Sequence, residues 1–521
     1  MSENKKITKA AGIISLATLA SRILGLVREM IYTHYLGAGR MSDAFFAAYR
    51  IPNLLRDLFA EGSMSAAFIP VFTDYLTNRT RADAKKLVKA VFTLLLIMLV
   101  FVCAIGIIIA PFIVRIIAPG FYDTPEKFSY TVLLTRIMFP FLLFIGLSAL
   151  AMGILNSLRS FGASALSPVM FNIMIISSAV FVSPFFKEPA IAISIGILLG
   201  GLFQLLFQIP SLRNKDMMFG LRLAPSDEGV VRIKNLLIPA MLGQSVAQVN
   251  LFITTILASF LADGSISYLA YSRELVNFPM GVFAIALSTA ILPSMAEQAA
   301  RHNYEGLRET LSFGLRLIFF ITIPSMFGLI LLRIPIISLI FQHGKFDYIA
   351  TIGTADALIY FSVGLWAFAG VRIVVSAFYS LNDTKIPVKI GAIAVGVNIA
   401  LNIILMFPMR HKGLALATSV ASIVNFSLLL YLLRKRLGSI EGKRIIKSLA
   451  RTIAASLIIA AVAWYVAGMG IWQTKGYIMD KILILGGTII FSIFLYVITH
   501  IILKSEETHF FLEMIKERFR L

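Results

Sequence analysis

Charged residues are scarce in this chain. Asp, Glu, Lys and Arg make up 14% of its 521 residues, whereas soluble domains contain roughly 25%. Hydrophobic residues make up 58% and the mean hydropathy is +0.87. A soluble fold could not bury that much apolar surface, so the composition predicts an integral membrane protein. Cys103 is the single cysteine, which excludes an intrachain disulfide.

Sequence signatures of enzymes are also missing. The six histidines lack the spacing of metal ligands, and the chain contains no phosphate-binding loop and no nucleophile elbow. We therefore expect a transporter with no cofactor and no resident metal. Its energy would come from the membrane potential, from a sodium or proton gradient or from the substrate gradient, since ATP has no site on this chain.

Apolar runs of about twenty residues recur along nearly the whole sequence, and this is the length of a membrane-spanning helix. We predict an all-α membrane fold with about 14 transmembrane helices. The predicted spans are 10-36, 43-76, 87-118, 128-158, 165-184, 189-212, 233-261, 265-299, 307-341, 349-381, 386-408, 413-436, 445-469 and 479-503.

Basic residues gather at every second connection between these spans. The positive-inside rule places such clusters in the cytoplasm, so both termini are predicted to be cytoplasmic. The net charge of +20 is thereby explained by topology and by attraction to anionic membrane lipids, and we expect no nucleic-acid partner. Examples are Lys5, Lys6 and Lys9; Arg79, Arg81, Lys85 and Lys86; Arg213 and Lys215; and Arg434, Lys435 and Arg436.

Short matches recur about 225 residues apart in the sequence. Asn156 corresponds to Asn382, and Asn172 corresponds to Asn398. One common offset predicts two parallel lobes of six helices each, with the transported species bound between them near the midplane of the membrane. The last part of the chain adds two helices and a tail without a counterpart. The predicted domains are 1-228, 229-440 and 441-521.

Arginines occur inside the first two spans, where charge is costly. Arg22 and Arg28 lie in the first span and Arg56 in the second; an arginine near the centre of a membrane helix costs about 2.5 to 3.5 kcal/mol. A guanidinium group stays charged and its planar fork suits phosphate, so the cluster predicts an anion site. The acids nearby that can pair with the arginines are Glu29, Asp43, Asp57 and Glu61. The alternative is that the arginines snorkel or form fixed ion pairs.

Polar side chains also interrupt the eleventh predicted span. Asn398 and Asn402 are four residues apart on one helix face, and Thr418 lies in the next span. Their oxygens can ligate a hard cation weakly, so the three residues are candidates for coupling to sodium or protons. The alternative is a hydrogen-bonded group that holds two helices together.

Five motifs combine into a recognisable pattern. They are SRILGLVRE (21-29), GAGRMSDAFF (37-46), RIPNLLR (50-56), AEGSMSAAFIP (60-70) and FYSLNDTKIPV (378-388). This pattern resembles the MurJ family, formerly MviN, of bacterial lipid II flippases, and the resemblance extends over essentially the whole chain.

The resemblance implies the fold of the multidrug, oligosaccharidyl-lipid and polysaccharide exporter superfamily. It implies transport of lipid II, an undecaprenyl-pyrophosphate-linked disaccharide-pentapeptide, to the periplasmic leaflet of the inner membrane for peptidoglycan biosynthesis. Cell-wall synthesis proteins are then expected partners. The functional residues of the family fall on Arg22, Arg28, Arg56 and Asp43, with Glu61 beside them.

One position departs from the family pattern. The family usually has an arginine five residues before the proline of span eight, where this chain has Glu274, and its arginine is Arg273. One residue turns a helical side chain by about 100°, so only one of the two can take the family position. We predict that Arg273 binds substrate and that Glu274 either faces a neighbouring helix or pairs with another cation. The alternative is proton coupling through Glu274.

Two other functions compete with this interpretation. A flippase for another polyprenyl-linked glycan is disfavoured by the specific motif of span two. A membrane glycosyltransferase acting on the same lipid-linked substrate would need a catalytic carboxylate in an external loop. The candidate carboxylates are scattered without a motif, at Asp123, Glu126, Glu188, Asp263 and Asp347.

Overall fold

The computed structural model describes residues 3–59 and 63–519, and within these ranges the chain forms helices and no β-strand. The chain divides into two compact units, Met1–Asp263 and Gly264–Leu521. The division of the chain at residues 228 and 440 stays a prediction.

The first unit begins with two helices that carry the sequence-predicted arginines. Gly37 ends the first helix with a φ of 66°, a conformation that residues with a side chain rarely adopt. The Gly39 N–H then donates to Ser42 Oγ at 2.7 Å at the start of the second helix. The helices are α1 (Glu3–Leu36), α2 (Arg40–Phe59), α3 (Ser63–Asn78), α4 (Arg81–Ile108), α5 (Ala110–Ile117), α6 (Pro125–Met138), α7 (Phe141–Ser157), α8 (Phe161–Phe181), α9 (Pro189–Leu206), α10 (Ile209–Asn214) and α11 (Glu228–Ser259).

The second unit packs around a buried apolar core. Leu315, Phe319, Ile373 and Phe426 belong to this core and are nearly inaccessible to solvent. A π-helical turn, Met280–Ala284, separates its first two helices. The helices are α12 (Ser265–Pro279), α13 (Ile285–Ala300), α14 (Tyr304–Leu331), α15 (Arg333–Ile340), α16 (Tyr348–Val363), α17 (Leu365–Ser380), α18 (Lys385–Met409), α19 (His411–Leu437), α20 (Gly442–Ala467), α21 (Ile478–Ile502) and α22 (Glu506–Phe519).

Many large apolar side chains face outward, as expected for a protein surrounded by lipid. Phe181 and Phe407 are 71% and 76% exposed. Among the described residues, 11 helices are long and apolar enough to cross a membrane. The all-α integral membrane fold is thus confirmed.

Three predicted spans are not among these 11 helices, and they correspond to α1, to α2 with α3, and to α11. α1 and α2 carry the intramembrane charges, which lower their hydropathy. In α11 the apolar stretch among the described residues is Gln248–Ser259. The total of fourteen spans therefore stays a prediction.

A buried ion pair fastens the C-terminal helix α22 to α14. Arg316 is only 7% exposed, and its Nη1 donates to Glu506 Oε2 at 2.7 Å and to Glu507 Oε1 at 2.9 Å. Ser448 of α20 also donates to Glu507 Oε1, at 2.9 Å. The charged tail after the last span is therefore partly an element of the folded core.

Candidate anion-binding site

Arg28 is half-buried on α1 and is held from two sides. Its Nη2 donates to Glu29 Oε1 at 2.7 Å, and its Nη1 donates to Asn172 Oδ1 of α8 at 3.1 Å. The Asn172 amide nitrogen in turn donates to the Ser21 carbonyl at 3.3 Å. The guanidinium carbon lies 5.6 Å from the centre of the Tyr32 ring. These contacts orient the arginine before any anion binds.

Arg56 has a similar arrangement on α2. Its Nη2 donates to Asp57 Oδ1 at 2.9 Å. The other carboxylate oxygen of Asp57 accepts from Gln248 Nε2 of α11 at 3.0 Å. Arg56 and Asp57 are both half-buried, with 22% and 17% of their side chains exposed. A second arginine is thus held against a carboxylate that follows it directly in sequence.

Tyr32 lies beside Arg28 on α1 and also contacts α2. Its ring packs edge-on against Phe45 of α2, with 5.2 Å between ring centres. Tyr32 therefore places the Arg28 pair against α2, the helix that carries Arg56 and Asp57.

This arrangement suits reversible binding of an anion. Each guanidinium group carries five N–H donors in a planar fork, and a phosphate can accept two of them at once. In the structure, Glu29 accepts hydrogen bonds from Nε and Nη2 of Arg28. Asp57 likewise accepts hydrogen bonds from Nε and Nη2 of Arg56. An anion with the same acceptor geometry would compete with these carboxylates for the same donors.

The remaining residues predicted from the sequence are placed differently. Arg22 is half-buried on α1. Glu61 lies outside the described residues. Asp43 is 1% exposed, and Lys127 Nζ lies 3.4 Å from its Oδ2. In the second unit, Arg273 is half-buried whereas Glu274 is exposed.

A buried hydrogen-bonded network connects Asn398, Asn402 and Thr418. Asn402 Nδ2 donates to Asn398 Oδ1 at 2.6 Å, and Asn398 Nδ2 donates to Thr418 Oγ1 at 3.3 Å. This network joins α18 to α19, in agreement with the alternative interpretation that the three side chains hold two helices together. The Asn402 Oδ1 atom is buried and has no hydrogen-bond partner among the described residues. In the same described ranges, no three His, Cys, Asp or Glu side chains gather to hold a metal ion.

Sequence reasoning missed the residues that hold the site together. The internal repeat identifies Asn172 only as the counterpart of Asn398, and the sequence patterns discussed above do not single out Lys127 or Gln248. A usable signal was present on α2, where Asp43, Arg50 and Asp57 recur every seven residues. Seven residues make two helical turns, so these charges share one face and require polar partners on another helix.

The comparisons with known proteins agree with one another. The family model described as lipid II flippase MurJ matches residues 32–486. A probable lipid II flippase MurJ from Vibrio cholerae is 36% identical over 494 residues, which cover 93% of this chain and 94% of that protein. A lipid II flippase MurJ from Burkholderia cenocepacia is 35% identical over 488 residues, which cover 92% and 94% of the two chains.

Solved structures give the same result. A lipid II flippase MurJ in an inward closed conformation matches with a TM-score of 0.78 and 28% identity, over 94% of this chain and 98% of that one. An inward-facing multidrug resistance MATE family transporter of the MOP superfamily matches with a TM-score of 0.69 at 13% identity, which shows a shared fold alone. The predicted superfamily fold is confirmed, and the chain belongs to the MurJ family of lipid II flippases.

Proposed function

We propose that this chain moves lipid II from the cytoplasmic to the periplasmic leaflet of the bacterial inner membrane. Membership of the MurJ family indicates the substrate. The observation that carries the mechanism is the pair of half-buried arginines, Arg28 and Arg56, each held by an adjacent carboxylate. Pyrophosphate is the part of lipid II that these arginines recognise.

Transport follows from exchange of partners at this site. The pyrophosphate displaces Glu29 and Asp57 from the arginines when lipid II enters from the cytoplasmic side. After the protein changes to its outward-facing state by alternating access, the carboxylates recapture the arginines and the lipid is released. Arg22 and Glu61 act as further members of the site. The apolar helices of 441-521 suit the polyprenyl tail.

The two alternative functions have less support. The family is one of transporters, so the membrane glycosyltransferase loses its support. A flippase for another polyprenyl-linked glycan would share the pyrophosphate and the arginines, and only the attached sugar and peptide would differ. The substrate must therefore be tested directly.

The test is depletion of the native flippase in bacterial cells that express this chain. Spheroplasts are treated with an impermeant enzyme that cleaves lipid II, and the cleaved fraction reports lipid II in the outer leaflet. We expect this chain to restore cleavage to the level seen with the native flippase. Accumulation of uncleaved lipid II, together with restored export of another polyprenyl-linked glycan, would favour the rival flippase.

Arg273 is a further proposed substrate-binding residue. Arg273→Ala should reduce lipid II flipping by about tenfold or more, because a cation that meets pyrophosphate is lost. Glu274→Gln should flip lipid II at close to the normal rate, since Glu274 is exposed. Both variants are compared in the spheroplast assay at equal protein amounts. An inactive Glu274→Gln beside an active Arg273→Ala would instead support proton coupling through Glu274.

The proposed orientation places both termini in the cytoplasm. Single cysteines are introduced into a Cys103→Ser background at four exposed positions: Asp123, Arg410, Arg81 and Lys443. Cysteines at positions 123 and 410 should react with an impermeant thiol reagent in intact cells, whereas those at 81 and 443 should react only after lysis. The reverse pattern would invert the topology.

The energy source of transport also belongs to the proposal. The unpartnered Asn402 oxygen, with Asn398 and Thr418 beside it, is a candidate site for a coupling cation such as sodium. The membrane potential and a proton gradient are the other candidates. Cell-wall synthesis proteins are the expected protein partners.

A further inference from the structure

A buried lysine joins three segments of the first unit. Lys127 lies in the first turn of α6 and is 4% exposed. Its Nζ lies 3.4 Å from Asp43 Oδ2, donates to Asp263 Oδ1 at 2.7 Å and lies 3.9 Å from the centre of the Phe121 ring. Asp263, just after α11, also accepts from Arg40 Nε at 3.3 Å. We call Arg40, Asp43, Lys127 and Asp263 the clasp.

The clasp lies at the end of a polar seam between α2 and α11. Asp57 pairs with Gln248 at 3.0 Å, and Arg50 Nε donates to Thr255 Oγ1 at 3.0 Å. The next position of the seam joins Asp43 to Asp263 through Lys127. Along α2 these positions are seven residues apart, and their partners follow in reverse order along α11 and the segment just after it. The two helices therefore meet at intervals of about two turns, and the seam ends beside Arg56.

Asp43 is poorly suited to bind the substrate itself. A carboxylate repels pyrophosphate, and this one is 1% exposed with an ammonium group beside it. It lies 13 positions before Arg56 in α2, or about 20 Å along a regular helix. Asp43 can affect the neighbouring helices through its contact with Lys127.

The two bonds of Lys127 differ in how easily they open. Lys127 and Asp43 have only 5% and 2% of their side chains exposed, so separating these two buried opposite charges is costly. The side chain of Asp263 is 47% exposed and keeps Arg40 as a second partner. Burial would raise the pKa of Asp263, but Lys127 and Arg40 bring it below its ordinary value, so the carboxylate is charged at neutral pH. The Lys127–Asp263 bond is therefore the one that can break and reform.

We propose that Lys127 is a positioning residue for lipid II transport. Fixed to Asp43, it fastens the end of α11 when the periplasmic side is closed and releases Asp263 when that side opens. In the proposed orientation the starts of α2 and α6 and the end of α11 all face the periplasm. This inference rests on the proposed function, because it assigns the clasp to the periplasmic step of lipid II transport.

The first test removes the clasp. Lys127→Gln should lower the rate of lipid II flipping by about tenfold or more, because Asp43 loses the ammonium counter-charge beside it and α11 is unfastened. Lys127→Arg should keep most of the activity. The double variant Asp43→Asn with Lys127→Met removes both buried charges together, so it should accumulate in the membrane and still flip slowly. Lys85→Gln is the matched control, since it breaks an exposed lysine–aspartate pair with Asp216 in the same unit.

The second test locks the clasp. Glu126→Cys and Ala262→Cys, at two exposed positions next to Lys127 and Asp263 in the sequence, are combined in a Cys103→Ser background and joined by a short, cleavable bifunctional thiol reagent, so that all four clasp residues stay in place. We expect crosslinking to stop flipping while purified protein still binds lipid II, and cleavage of the reagent to restore flipping. The single cysteine variants should be unaffected by the reagent. Adding Lys127→Gln should lower the crosslinking yield, because α11 is no longer held in place.

These outcomes separate the clasp from the proposed function. Normal flipping by the double variant, or by the crosslinked protein, would overturn the role of Lys127 while lipid II transport stands. If the unaltered chain fails to flip lipid II, the proposed function fails, and the clasp is decided by the crosslinking yield alone. A yield unchanged by Lys127→Gln would then overturn it.

Discussion

Alanine in place of Arg28 or Arg56 should abolish growth complementation in cells that lack their own flippase, while the protein still accumulates in the membrane. Each substitution removes a planar cation from a half-buried site and leaves Glu29 or Asp57 behind, so the site changes from attracting to repelling pyrophosphate. The expected loss of flipping is about a hundredfold or more. Lysine at either position should restore activity only partly, because it lacks the bidentate fork.

A control variant and the amount of protein in the membrane distinguish loss of substrate binding from loss of folding. Arg115→Ala removes an exposed arginine that lies 4.5 Å over the Tyr122 ring in the same unit, and it should complement fully. If the pairs at Arg28 and Arg56 were fixed structural bridges, alanine there would deplete the protein from the membrane. Alanine variants at Arg22, Arg28 and Arg56 that all support growth would refute the anion site.

Glu507→Gln should destabilise the second unit more than any substitution on the exposed face of α22. The change leaves Arg316, which is 7% exposed, without a full counter-charge. Removing one partner of a buried ion pair typically costs about 3–5 kcal/mol. Thermal unfolding of the purified protein in detergent measures the loss, and Glu513→Gln on an exposed position of the same helix is the control. Equal melting temperatures for the two variants would show that the pair contributes no net stability.

The same pair predicts a pH dependence. Burial would raise the pKa of Glu507, but Ser505, Ser448 and Arg316 bring it below its ordinary value of 4.5. Because the folded-state pKa lies below the unfolded one, the stabilisation is complete at neutral pH and is lost as the pH falls below 4.5 through the folded-state pKa. The difference in melting temperature between the original chain and Glu507→Gln should therefore shrink on acidification.

Much of the fold could be predicted because membrane helices are encoded locally. Length and hydropathy alone indicate a helix such as α4 or α21, since the bilayer demands internal backbone hydrogen bonds. The arginines of the site were predicted for the same reason, because charge inside an apolar run is costly wherever it occurs. The family motifs then added a substrate that physical reasoning alone could not name.

Local sequence patterns do not predict which side chains on different helices form hydrogen bonds with each other. Asn172 lies 144 positions from Arg28, and Gln248 lies 191 positions from Asp57. Nothing local in the sequence specifies which helix faces which. The seven-residue spacing of Asp43, Arg50 and Asp57 indicated a polar face on α2, but α11 as its partner is visible only in the structure.

The order of residues in these pairs has a consequence for biosynthesis. Glu29 follows Arg28 directly, and Asp57 follows Arg56, so each arginine can be neutralised as soon as its own helix leaves the ribosome. Asn172 is synthesised 144 residues after Arg28, a delay of roughly 7 to 30 seconds at usual translation rates. The adjacent carboxylates are thus available as counter-charges to α1 and α2 before α8 and α11 have been synthesised.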